Sequence, residues 1–128
     1  MQKLVLIVAI ILPTASVAEQ YFCISDKASG FNHDGVVCDE TSLTTDSKYL
    51  VNFDTNSVSM FGKSEPIHSN CSKGTLDGKQ IFHCKENFGE FQMSKDTLKF
   101  LNVLPYYDYV IDSTNGTPHI ELGTCTKF

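Results

Sequence analysis

The chain contains no arginine and no tryptophan. Without arginine there is no planar guanidinium to hold a phosphate or carboxylate through two parallel hydrogen bonds. All ten basic residues are lysine, and they face fifteen Asp and Glu for a net charge of −5. Nucleic-acid binding needs clustered cations that displace phosphate counterions, so that partner class is excluded. The same balance argues against anionic membrane surfaces. No apolar run reaches the roughly 20 residues that a helix needs to cross a bilayer. The nucleophile elbow, the zincin motif, the P-loop and the dinucleotide-binding turn are all missing. His33, His68, His83 and His119 do not fall at zinc-ligand spacing with other ligands. No catalytic residue, metal site or cofactor is therefore assigned.

The first stretch reads as an address. In residues 1–18, Lys3 precedes the apolar run from Leu4 to Leu12, Pro13 ends it, and Ser16-Val17-Ala18 carries small residues at a cleavage site. Cleavage after Ala18 leaves residues 19–128 as one domain with nine lysines against fifteen acids. Such a domain buries roughly two thirds of its unfolded surface, enough for a modest core. The destination is the periplasm or the extracellular space, where disulfides persist. That gives meaning to Cys23, Cys38, Cys71, Cys84 and Cys125.

Beyond residue 46, apolar and polar residues alternate and turn sequences interrupt them, the pattern of half-buried strands. Asp77-Gly78 suits a two-residue type I′ turn, and that register sets Cys71 directly opposite Cys84. The pair is non-hydrogen-bonded, with Cα atoms about 4.5 Å apart, within reach of a disulfide. Asn115-Gly116 suits a second such turn. It would pair Ile111 with Ile120, Tyr109 with Leu122 and Tyr107 with Thr124 on the core face, and Val110 with Glu121 outside. Thr55-Asn56 would pair Phe53 with Val58 and Val51 with Met60. Lys95-Asp96 would pair Met93 with Leu98 and Phe91 with Phe100. These two turns lack glycine, so loops of three to five residues also suit them.

Residues 21–25 add an N-terminal strand, and no segment sustains helical spacing. The expected fold is all-β: an antiparallel up-and-down meander of eight to ten strands closing as a small barrel, with a β-sandwich as runner-up. Closure would set the first strand beside the last and favours Cys23–Cys125, leaving Cys38 over; Cys23–Cys38 is the rival pairing. Residues 26–47 read as an irregular stretch. Within it His33, Asp34 and Cys38 form a candidate loop site. Tyr106 is a candidate surface contact, because tyrosine is enriched at interfaces.

Tyr21-Phe22-Cys23 follows the leader, Cys71 and Cys84 occupy the middle, Phe91 is spaced from Leu98 and Phe100, and the end reads Ile120-Glu121-Leu122-Gly123-Thr124-Cys125. This pattern resembles small uncharacterised exported proteins of marine and other Gram-negative bacteria and their phages. Cys38 and the missing tryptophan depart from it. The resemblance implies a periplasmic location and carries no activity.

The functional expectation is a non-enzymatic binding or interaction protein of the cell envelope, meeting an unknown protein partner. The alternative is a carrier of a small apolar ligand in the barrel interior. An enzyme using the His33, Asp34 and Cys38 loop ranks third.

Overall fold

Alternating apolar and polar residues build strands and no helix among the described residues of the computed structural model, which are Pro13 and residues 18–33, 38–43, 46–86, 89–105 and 118–128. The strands are β1 (Gln20–His33), β2 (Cys38–Leu43), β3 (Lys48–Asn52), β4 (Ser57–Met60), β5 (Pro66–His68), β6 (Ser72–Leu76), β7 (Lys79–Glu86), β8 (Gly89–Ser94), β9 (Lys99–Leu104) and β10 (His119–Lys127). They form one antiparallel sheet in the order β5-β4-β3-β1-β10-β9-β8-β7-β6, with β2 also on β1. Two meanders, β3 to β5 and β6 to β10, are thus joined through β1.

The sheet curls into a half-barrel. It stops short of the closed barrel expected from the sequence: β5 and β6 end the strand order, and no ladder joins them among the described residues. β5 has three residues and β6 is exposed along its length, so neither offers much surface to close on. Single bonds cross the seam instead. Cys71 N–H donates to the Asn56 carbonyl at 3.0 Å, and the N–H groups of Ser69 and Asn70 donate to the Glu86 carboxylate at 2.8 and 3.2 Å.

The concave face holds the core. Tyr21, Val51, Phe53, Val58, Phe82, Phe91, Met93 and Phe100 are buried there. Ring contacts tie the two meanders together: Tyr49 meets Phe91 and Phe100 at 5.7 Å, and Phe53 meets Phe82 at 4.7 Å. Each such side chain contributes roughly 1.5–3 kcal/mol through burial alone.

The Asp77-Gly78 turn forms with both residues at positive φ, and its register matches the expected one down to Ser72 opposite His83. Cys71 and Cys84 are bonded one step further on, with Cα atoms 4.2 Å apart. Cys23 and Cys125 face each other across β1 and β10 and form the second disulfide, with Cα atoms 4.0 Å apart. In both pairs one backbone N–H points away from the bonded strand, Cys71 to Asn56 and Cys125 to Leu98, as a non-hydrogen-bonded pair requires.

Other registers differ from expectation. β3 and β4 pair Val51 with Val58, and β8 and β9 pair Met93 with Phe100, each two residues from the expected register. Four-residue loops replace two-residue ones, with Asn56 and Leu98 at positive φ. The described part of the residue-26 to residue-47 stretch is largely strand rather than irregular loop: β1 runs on to His33 and pairs with β2. A bulge at Asp26 shifts the register there.

The expected Asn115-Gly116 register is overturned at its described half. β10 has both edges occupied, Ile120 by Val103 and Ser29, and Leu122 by Leu101 and Lys27. Two neighbouring ladders outweigh one local turn preference. Ile120 and Leu122 therefore lie on the outer face, 48% and 50% exposed, rather than in the core. Residues 106–117, with Tyr107, Tyr109 and Ile111, lie outside the described residues.

Candidate functional site

β10 turns Glu121, Gly123 and Cys125 inward, because the bridge to buried Cys23 fixes its parity. Glu121 thereby enters the concave face and is only 4% exposed. It sits at one end of the half-barrel, where the start of β3 and the end of β9 converge on it. Tyr49 donates its hydroxyl to Glu121 Oε2, Asn102 Nδ2 donates to the same oxygen at 3.2 Å, and Ser47 Oγ donates to Oε1 at 2.8 Å. Asn102 Nδ2 also donates to the Tyr49 hydroxyl at 3.0 Å. His119 Nε2 lies 3.6 Å from Oε1. A buried carboxylate is tolerable only with such donors around it.

These groups line a cavity of about 460 Å³ between β3–β5 and β9–β10. Met60, Pro66, Ile67 and Leu104 supply its apolar walls, and His68 joins from β5. Its volume is in the range of small-molecule sites, which pair apolar walls with a few convergent polar groups. Three buried polar atoms around this end have no hydrogen-bond partner: Asn102 Oδ1, His68 Nδ1 and Ser25 Oγ. The neighbouring Ser25 N–H donates to the Ser47 carbonyl at 3.0 Å.

Burial, reinforced by the bond to Glu121, raises the Tyr49 hydroxyl well above the ordinary tyrosine range. It therefore stays a donor to the carboxylate. Burial lowers His68 below the ordinary histidine value, against a smaller opposing pull from Glu86. His68 therefore favours its neutral form.

Ser47, Glu121 and His119 do not make a hydrolytic relay. Such a relay sets the imidazole between hydroxyl and carboxylate. Here the carboxylate is in the middle, and Ser47 and His119 both approach its Oε1. The geometry holds the carboxylate in place.

The residues singled out in the sequence lie elsewhere. His33 pairs with Cys38 across the β1–β2 ladder, while Asp34 lies outside the described residues, as does Tyr106. His83 is on the outer face, 2.7 Å from Glu90, whereas His68 is buried inside. No group of three or more His, Cys, Asp and Glu among the described residues could hold a metal ion. Glu121, Tyr49, Asn102 and Ser47 were missed, because the turn at Asn115-Gly116 assigns Glu121 to the outer face. The signal was present: Glu121 shares parity with Cys125, which must face inward to reach Cys23.

No protein-family model, no curated protein and no solved structure matches the chain.

Proposed function

We propose that the protein is a non-enzymatic, exported binding protein whose site is the Glu121 cavity at the end of the half-barrel. The observation that carries this reading is a buried carboxylate beside unpartnered polar atoms in a roomy, apolar-walled space. Buried polar groups are ordinarily satisfied, so orphans around a cavity mark a place for a ligand. The ligand is not the purely apolar one expected from the sequence, since such a molecule would leave these atoms unpaired. Two disulfides are compatible with an oxidising, exported location. The resemblance to exported Gram-negative proteins favours the periplasm.

The test is a fragment screen followed by amide NMR shifts. Hits should move the amides of Tyr49, Ile67, Asn102 and Glu121 together. A screen whose hits all leave these amides still overturns the reading.

A second reading, interaction with an envelope protein, rests on the outer face. Leu101 with Leu122, and Val103 with Ile120, are adjacent there, and Phe31 is 46% exposed nearby. Charge introduced by Leu122→Glu should abolish retention of a periplasmic partner. Retention unchanged by that substitution counts against it.

A further inference from the structure

The chemistry of the cavity also selects the charge of its ligand, an inference that rests on the cavity being the binding site. Glu121 brings a carboxylate into a space that no lysine lines among the described residues. The chain has no arginine to place there either. Around it stand three neutral donors, from Tyr49, Asn102 and Ser47, and the His119 imidazole at 3.6 Å.

The unpartnered atom of Asn102 is an acceptor. Its amide orientation is set by its neighbours: Nδ2 donates to the Glu121 carboxylate and the Tyr49 hydroxyl, so Oδ1 is the amide atom left buried with no donor. Asn102 is 1% exposed, so water in bulk does not serve that atom. Carboxylate and amide oxygen together ask for a group with several N–H donors and a positive charge. A carboxylate or phosphate ligand would meet Glu121 with no lysine or arginine in the described lining to offset the repulsion. A neutral alcohol would offer a single donor to two acceptors.

We infer that the Glu121 cavity takes an organic ammonium ion carrying a short apolar chain. The ammonium has three donors and no acceptor, which matches Glu121 and Asn102 Oδ1. The chain would lie against Met60, Ile67 and Leu104. A buried carboxylate with no cation beside it is the costly state, and an ammonium ion would supply that partner.

Three probes of one size decide the matter: n-pentylammonium, 1-pentanol and pentanoate, titrated at pH 8 and read by amide shifts in the cavity. Pentylammonium should bind at least tenfold more tightly than pentanol, and pentanoate should not bind. Glu121→Gln, which keeps the shape, should weaken pentylammonium at least tenfold and leave pentanol within twofold. The wild-type comparison stands even if that variant unfolds. Equal binding of pentanol, or tighter binding of pentanoate, overturns the ammonium inference while the cavity reading survives. Silence from all three probes also overturns it, and the fragment screen then judges the cavity separately.

Discussion

At the scale of single residues, the polar end of the half-barrel depends on atoms with little room to move. Removing the Tyr49 hydroxyl leaves Glu121 and Asn102 Nδ2 each short of a partner. Tyr49→Phe should cost about 1–3 kcal/mol, read from urea unfolding, because buried groups are left unpaired. Gly123 is a close-approach glycine. A Cβ there would sit 2.1 Å from the Ile24 carbonyl oxygen and 2.4 Å from Phe100 Cε1. Gly123→Ala should therefore cost about 3 kcal/mol, near the upper end for overpacking. Gly74 has nothing within 4 Å of its Cβ position, so Gly74→Ala should be neutral or stabilise by up to about 1 kcal/mol. Equal melting temperatures for the two variants would contradict this packing. His68 gives the molecule a pH dependence of determined sign. Its folded value is lowered by burial, so below its ordinary value of 6.5 the unfolded chain binds the proton that the folded chain refuses. Stability then falls as pH drops from 7 to 5.5, before Glu19 and Glu90, both held below 4.5 by their hydrogen-bond partners, begin to matter. His68→Leu should reduce that fall. An unchanged urea midpoint difference between the two pH values in the variant would refute it.

At the scale of elements, legibility followed how completely each turn specified itself. Asp77-Gly78 carries both positive-φ positions of a type I′ turn in residues suited to them, and its hairpin and bridge were readable outright. The turns around Thr55-Asn56 and Lys95-Asp96 had no glycine to locate them. Their loops widened to four residues with Asn56 and Leu98 at positive φ, shifting each register by two. An even shift preserves the buried faces, so Val51, Met93 and Phe100 still face inward. Asn115-Gly116 misled because a dipeptide speaks for its neighbours only. β10 takes its partners from β1 and β9, the former about a hundred residues away in sequence. The bulge at Asp26 hid β1 in the same way: it reverses the alternation, so the stretch beyond it loses its period and reads as irregular. The site was lost to the Asn115-Gly116 register instead, which turns Glu121 outward. One consequence of the two bridges is chemical. Four of the five cysteines are bonded, so Cys38 should be alkylated as a single thiol per denatured, unreduced chain. Labelling of any other cysteine would contradict the pairing.

At the scale of the whole molecule, β1 joins the two meanders into one sheet. β3 and β2 occupy one of its edges and β10 the other. The cavity draws Tyr49 and His68 from one meander and Asn102 and Glu121 from the other, so it exists only while β1 and β10 stay paired. Chain entropy disfavours such a pairing, since its ends must meet across most of the sequence. The Cys23–Cys125 bridge acts at that weak point. It spans 102 residues, against 13 for Cys71–Cys84. In the chain-entropy model the long bridge stabilises by up to about 4.7 kcal/mol and the short one by about 3 kcal/mol. The two bridges also differ in what they hold. Losing Cys71–Cys84 frees β6, an exposed edge strand whose turn at Asp77-Gly78 preserves its register locally. Losing Cys23–Cys125 loosens the joint on which the cavity depends. Cys23→Ser with Cys125→Ser should therefore lower the urea midpoint more than Cys71→Ser with Cys84→Ser. It should also increase hydrogen exchange at Glu121 and Asn102, which the second pair of substitutions should leave protected. A larger loss from the hairpin bridge, or equal exchange at the cavity in both variants, would mean that β1 and β10 are held by their ladder and core contacts rather than by the disulfide between them.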